Sequence, residues 1–241
     1  MNYALLGSYV TDEVAEFFTQ HGSFGHARKK AYLHAPREKS LLYITDGIAG
    51  SVVTNNNLSK ANLLKISMPG FICNAKLFAN KDIITAAPFA ITDCDFYKLD
   101  VDEIAKLLDG DYAKYQSMVS FFGRDMGCCI ESLFIMLTLT AETRLRILMR
   151  SLTLCTGQSE ASDWLAIPQG ITREQYAMSI YITTNTLDGI LQEWKNLGVY
   201  KKDGVLRYIH KCLIENVYHP ADNFTERLYN EDWKLSAPSY T

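Results

Sequence analysis

Apolar and polar positions divide the chain into stretches of different period. Residues 10–20 (VTDEVAEFFTQ) carry the spacing of a short helix. From about Ala27 to Leu99 there are short β-like runs, AYLH, SLLYITDG, GSVVTNNN, NLLKISMPG, DIITAA, FAIT and CDFYKL, separated by Gly, Asn and Pro. Many short strands punctuated in this way predict an antiparallel sandwich or roll. From Asp102 the period turns helical for about forty residues.

Within that helical stretch Tyr115, Phe122, Cys129 and Met136 occupy one heptad position, with Val119, Met126, Leu133 and Thr140 four residues after each. Such a register predicts a coiled-coil seam and a dimer, the alternative being packing against the chain's own β-domain. Gly123 and Gly127 sit one turn apart in this helix, where each costs about 1 kcal/mol relative to alanine. Close approach of a partner backbone, a ligand lying on that face, or a kink would each account for them.

Further on, AETRLRILMRSL is amphipathic, and GQSEASDWLAIPQG reads as a loop with a short extended piece. Thr172 is placed to cap REQYAMSIY, with Gln175 completing a capping box. Thr183 or Thr184 caps NTLDGILQEWKNL, which stops at Gly198. VYKKDGVLRYI then reads as a hairpin turning at Asp203-Gly204.

Composition narrows the function. With 241 residues and 48% hydrophobic content the chain can bury a real core. Its 24 basic and 27 acidic residues leave a net charge of −3, so no global positive field favours nucleic acid or anionic membrane. Any DNA contact must be local. No apolar run approaches twenty residues, and the N-terminus lacks the basic start and cleavage site of a signal peptide, which predicts a soluble cytoplasmic protein.

Cys73, Cys94, Cys128, Cys129, Cys155 and Cys212 show no CxxC pairing or zinc-site spacing and read as reduced, mostly buried thiols, so no metal or other cofactor is expected. Cys129, at a seam position, would face its symmetry mate in a dimer, which is the one redox arrangement the spacing offers. With no nucleophile–base pair and no phosphate-binding glycine loop, an enzyme is not expected.

Three helices followed by a hairpin form the winged helix-turn-helix pattern. The order β-roll, long helix, winged helix resembles the Crp/Fnr family of bacterial transcription regulators. The residues that carry it are TDG ending at Gly47, the Pro69-Gly70 turn in ISMPGF, TAETRLRILMRSL, LAIPQGITREQYA, and TTNTLDGILQEWKNLGVY with its wing. The resemblance implies an α+β chain with an antiparallel, effector-binding β-roll over 1–109, a dimerisation helix over 110–140, and a winged helix-turn-helix with a C-terminal tail over 141–241. It also implies a homodimer that lays two recognition helices in successive major grooves of a palindromic site, gated by a small molecule in the roll. An activator would contact RNA polymerase as well.

Set against the family's S-R-E-T-V-x-R helix, residues 183–189 read TTNTLDG. Thr184 and Gly189 stand where arginines would face guanine, and Asn185 replaces the glutamate. The candidate base-reading residues are therefore Thr184, Asn185, Asp188 and Gly189, with Asn185 suited to adenine and Thr184 to a thymine methyl, which predicts an A·T-rich site. Capping is the plainer role for Thr184 and Asn185. Thr172, Arg173, Thr183, Lys201 and Lys202 are the candidate phosphate contacts. Between Leu165 and Leu213 there are six basic and four acidic residues, a thin local excess. Tyr181 occupies a turn position where the family commonly has glycine, which predicts strain.

Cyclic-nucleotide binders of the family carry a glutamate for the ribose and an arginine for the phosphate. Here Ala75 and the Ile84-Thr85 pair stand in those places, so cyclic AMP would lack its countercharge. Lys76 among apolar residues suits a small apolar or aromatic anion, as in the halorespiration regulators of the family, although a solvated lysine is the plainer reading. Ile84, Thr85, Phe122 and Met126 are the other candidate effector contacts. The acidic, aromatic segment from Ile214 to Thr241 is longer than the wing requires.

Overall fold

The computed structural model describes residues 2–3, 5–33, 39–54, 62–73, 85–156 and 162–215. Two short strands, β1 (Asn2–Tyr3) and β2 (Gly7–Ser8), pair and lead into α1 (Asp12–His21), which buries Val14, Phe17 and Phe18 along one face. The roll comprises β3 (Ser23–Ala27), β4 (Ser40–Asp46), β5 (Ala49–Thr54), β6 (Asn62–Ser67), β7 (Ile72–Cys73), β8 (Thr85–Ala90) and β9 (Cys94–Asp100). These strands form two antiparallel sheets, ordered β3-β9-β4-β7 and β6-β5-β8. Leu42, Ile44, Ala49, Ala90, Cys94 and Phe96 form a buried cluster that draws on both sheets.

Several expected strands differ in extent. The described end of DIITAA (Thr85–Ala87) and the start of FAIT (Phe89–Ala90) fall in one strand, β8, which runs through Pro88. The strand tolerates proline because β8 lies at the edge of its sheet, where a missing N–H costs no ladder bond. AYLH contributes a single bridge from Tyr32 to Phe89. β3 precedes the first expected strand, its exposed Ser23, Phe24 and His26 giving no alternating pattern to detect.

The helical stretch after the roll is broken, contrary to the sequence pattern. α2 (Val101–Leu107) ends before Gly110, which takes a left-handed φ of 80°, and the Asp111 carboxylate accepts from the Lys114 N–H at 3.1 Å to start α3 (Tyr112–Thr138). α4 (Ala141–Cys155) follows a Thr140 cap. The remaining elements are β10 (Trp164–Ala166), α5 (Arg173–Ser179), α6 (Thr184–Asn196), β11 (Tyr200–Asp203), β12 (Leu206–His210) and α7 (Cys212–Glu215), with sheet order β10-β12-β11.

One buried cluster joins the roll to the C-terminal helices. Leu6, Ile48, Ile66, Met68 and Ile91 share it with Leu145, Leu148, Tyr176, Ile180, Leu187, Trp194 and Ile209. Helix α5 packs directly on β6. Gly170, at φ 93°, lies so close to the Thr92 methyl that a Cβ would collide with it. The pose of α5 and α6 is therefore tied to the roll by a packed core, which transmits displacement rather than absorbing it. No described helix is long and apolar enough to cross a membrane.

Candidate nucleic-acid interface

The α5–α6 pair is built from local signals. The Thr172 hydroxyl accepts from the Gln175 N–H at 3.2 Å while the Gln175 side chain accepts from the Thr172 N–H at 2.7 Å, completing the expected capping box. Tyr181 forms the turn at φ 54°, its side chain exposed, with its N–H donating to the Met178 carbonyl at 3.2 Å. A tyrosine in this left-handed region stores about 1 kcal/mol that glycine would not. Thr183 caps α6, accepting from the Thr186 N–H at 3.1 Å, so Thr184 and Asn185 lie inside the helix.

Leu187 and Trp194 are fully buried and fix the inner face of α6, with the Trp194 indole donating to Glu142 of α4 at 3.1 Å. The outward face carries Asn185, Gly189 and Gln192, all exposed, with Thr184 and Asp188 half-exposed beside them. Gly189 has open space around it.

Beside this face lies a cleft of about 330 Å³ lined by Arg173, Asp188, Gln192, Lys195, Lys202 and Arg207, four cations to one carboxylate. Arg173 from the start of α5 reaches across to α6, its Nη1 2.9 Å from the Asp188 carboxylate. The structure thus brings Arg173, Asp188 and Lys202 together. It puts Lys201 elsewhere: Lys201 and Lys202 are neighbours on a strand and point to opposite faces, and the Lys201 ammonium sits 4.0 Å over the Trp164 ring and 5.5 Å from the centre of the Tyr208 ring. The hydroxyls of Thr172 and Thr183 are engaged in capping, so a phosphate there would meet mainly backbone N–H groups.

Sequence reasoning missed Gln192, Lys195 and Arg207. The first two follow Asp188 by four and seven residues, the helical repeat that defines its face. Arg207 pairs with Lys202 across the hairpin, so it shares that residue's side of the sheet. The hairpin loop is Gly204-Val205, one residue later than expected, because Asp203 already pairs with Leu206 and Gly204 supplies the positive φ of 57°.

Helix α3 has two apolar faces. Met118, Phe121, Asp125, Cys128 and Ile135 are buried towards the rest of the chain. Tyr115, Val119, Met126 and Leu133 lie on an exposed stripe with Tyr112, Ile130 and Leu137, and Gly123 sits in that stripe with nothing near its missing Cβ. Phe122, Cys129 and Met136, expected at the seam, are half-buried at the border between the faces. Phe122 and Met136 pack against the chain's own core, which departs from the expected register. An apolar residue at the border of two stripes looks identical in sequence to one at the centre of either.

Of the expected effector contacts, Lys76 and Ile84 lie outside the described residues, as does Ala75, and Thr85 is described only as the first backbone position of β8. Phe122 packs inward while Met126 is exposed. Cys73, Cys94 and Cys128 are buried, Cys129 and Cys155 half-buried, and Cys212 exposed; all six are free thiols. Burial pushes the Cys129 thiol up, which disfavours the reactive thiolate. Among the described residues no cluster of side chains could hold a metal ion.

No protein-family model and no curated protein matches the chain. Solved structures do. A cyclic nucleotide-binding domain containing protein from Listeria monocytogenes EGD-e is similar over 85% of this chain and 100% of its own, with a TM-score of 0.65 and 14% identity. A mutant of CooA from Carboxydothermus hydrogenoformans matches over 84% and 89%, with a TM-score of 0.61 and 16% identity. CprK complexed with OCPA matches over 86% and 95%, with a TM-score of 0.61 and 13% identity. The chain shares the fold of these proteins, in line with the fold that the sequence resemblance implied.

Proposed function

We propose that the chain is a homodimeric, ligand-responsive transcription regulator that binds double-stranded DNA through α6 and the β11–β12 hairpin as a winged helix-turn-helix. The observation that carries this reading is the outward face of α6, exposed from Asn185 to Gln192 and flanked by the cations Arg173, Lys195, Lys202 and Arg207. The helix lacks an arginine of its own, and the neighbouring elements bring positive charge to it. Asn185 and Thr184 read base edges, and the flanking cations grip phosphates. On this reading the protein works in the bacterial cytoplasm on an approximately palindromic site.

The exposed stripe of α3, with Gly123 at its middle, suits a second copy of the same helix at close range. The effector is a molecule other than cyclic AMP, because the phosphate's arginine is missing from the Ile84-Thr85 region. CprK, of the same fold, is complexed with OCPA, which supports a small-molecule ligand of another class. Lys76 is proposed as its countercharge.

Binding of the full-length protein to labelled duplex DNA across a salt series tests this reading. Affinity that falls steeply between about 50 and 200 mM salt is expected, and Lys195→Gln or Arg207→Gln should lower the slope of log K on log salt by about 1 each. Binding that is absent, or indifferent to salt and to both substitutions, favours a protein of this architecture that has left DNA reading behind.

A further inference from the structure

A carboxylate in the middle of a DNA-facing helix repels phosphate, yet Asp188 stands there, four residues after Thr184 and four before Gln192. Three features of its surroundings give it a role. Arg173 bonds it at 2.9 Å, fixing the carboxylate's orientation and cancelling its charge, while about 40% of the Asp188 side chain stays exposed. Lys195, Lys202 and Arg207 line the same cleft, so the local field remains positive despite the acid. Gly189, the next residue, has open space where a side chain would stand, so a base pair can approach the helix closely enough for a short aspartate to reach it.

We propose that Asp188 is a specificity-determining residue that accepts a hydrogen bond from the N4 amine of cytosine in the major groove, with Arg173 as its positioning residue. The proposal rests on the reading of the chain as a DNA-binding regulator. The chemistry is that of base edges: cytosine is the pyrimidine that presents a donor in the major groove, where thymine presents a carbonyl oxygen, and a carboxylate is an acceptor only. An aspartate held by an arginine therefore selects C over T, a choice that Asn185 and Thr184 do not make. The expected half-site combines an A·T-rich part facing Thr184 and Asn185 with one C·G pair facing Asp188.

The test uses the full-length protein and the duplex it enriches most from a random pool. Each C·G pair of a half-site is replaced in turn by T·A, and Kd is measured for the wild type, Asp188→Asn and Arg173→Gln. In the wild type one position should cost about tenfold or more on replacement. Asp188→Asn should bring that penalty below about threefold without weakening binding to unrelated DNA. Arg173→Gln should weaken all binding and reduce the same penalty, because it frees the carboxylate to turn and leaves its charge uncompensated. Asp188→Ala provides a second variant that likewise keeps the fold and loses the acceptor.

Uniformly tighter binding by Asp188→Asn, with every base preference intact, would overturn the assignment and leave DNA reading standing, since Asp188 would then be a repulsive neighbour only. A wild type that enriches no duplex would overturn both.

Discussion

The Lys65 ammonium of β6 lies 3.0 Å from the Asp125 carboxylate of α3, and the same carboxylate oxygen accepts from the Ser8 N–H at 3.1 Å. Asp125 is buried, with 8% of its side chain exposed, so one ion pair ties the roll, the N-terminal hairpin and the long helix together. Gly7, at φ 104°, makes room for it, because a Cβ there would collide with both charged groups. Removing one partner leaves the other charge buried and alone. Asp125→Ala should therefore cost about 3 kcal/mol or more in chemical denaturation, whereas the double replacement Lys65→Met with Asp125→Leu should cost clearly less. Equal losses in the two variants would mean that the charge pair is not what joins these elements.

The contact of Gly170 with Thr92 fixes the loop before α5 against the roll. Gly170→Ala should destabilise the protein by about 1–2 kcal/mol from the left-handed backbone alone, and by more through collision with the Thr92 methyl. Thr92→Ser removes that methyl and retains the hydroxyl that accepts from the Ile48 N–H at 2.7 Å. Adding it to Gly170→Ala should restore the collision part and leave the backbone part. Thermal melts of the three variants separate the two contributions.

The exposed stripe of α3 makes a prediction about assembly. Leu133 is 63% exposed in the single chain, so Leu133→Glu should leave the monomer's stability nearly unchanged while opposing a like charge on a second copy. Sedimentation equilibrium should show a dimer for the wild type and a shift towards monomer for the variant. A wild type that stays monomeric at micromolar concentration would remove the dimer.

Burial pushes the thiols of Cys94 and Cys155 up to about 11 and about 12. Below the ordinary thiol value of about 8.5 both folded and unfolded chains hold these protons, and this part of the stability is fully present. Above it the unfolded chain loses protons that the fold retains, so stability falls as pH rises towards 11–12, by at most about 1.4 kcal/mol per pH unit for each thiol. Tm should drop between pH 8 and pH 10.5, and less so in Cys155→Ala. At pH 7.5 an alkylating reagent should mark the exposed Cys212 before any other cysteine.

The architecture was legible because its signals are local: the Thr172–Gln175 box, the Thr183 cap and the Pro69-Gly70 turn each act within a few residues. What stayed hidden depends on which face a residue presents and on contacts far apart in the chain. Phe122 and Met136 fit the heptad yet face the chain's own core, because α3 carries two apolar stripes and periodicity does not say which of them meets the roll. In sequence Arg173 reads as a phosphate contact and Asp188 as a base-reading candidate with nothing to pair them, because fourteen residues lie between two groups that the fold holds 2.9 Å apart. Lys201 and Lys202 look equivalent in sequence, and the strand's alternation sends one to Trp164 and the other to the α6 cleft.

The most direct test of DNA reading by α6 is selection of bound duplexes from a random pool by the purified full-length protein, alongside Asn185→Ala. Enrichment of a palindrome with A·T pairs in each half-site, lost in Asn185→Ala while the variant remains folded, is the expected result. A folded, dimeric protein that enriches no sequence at low salt would contradict it.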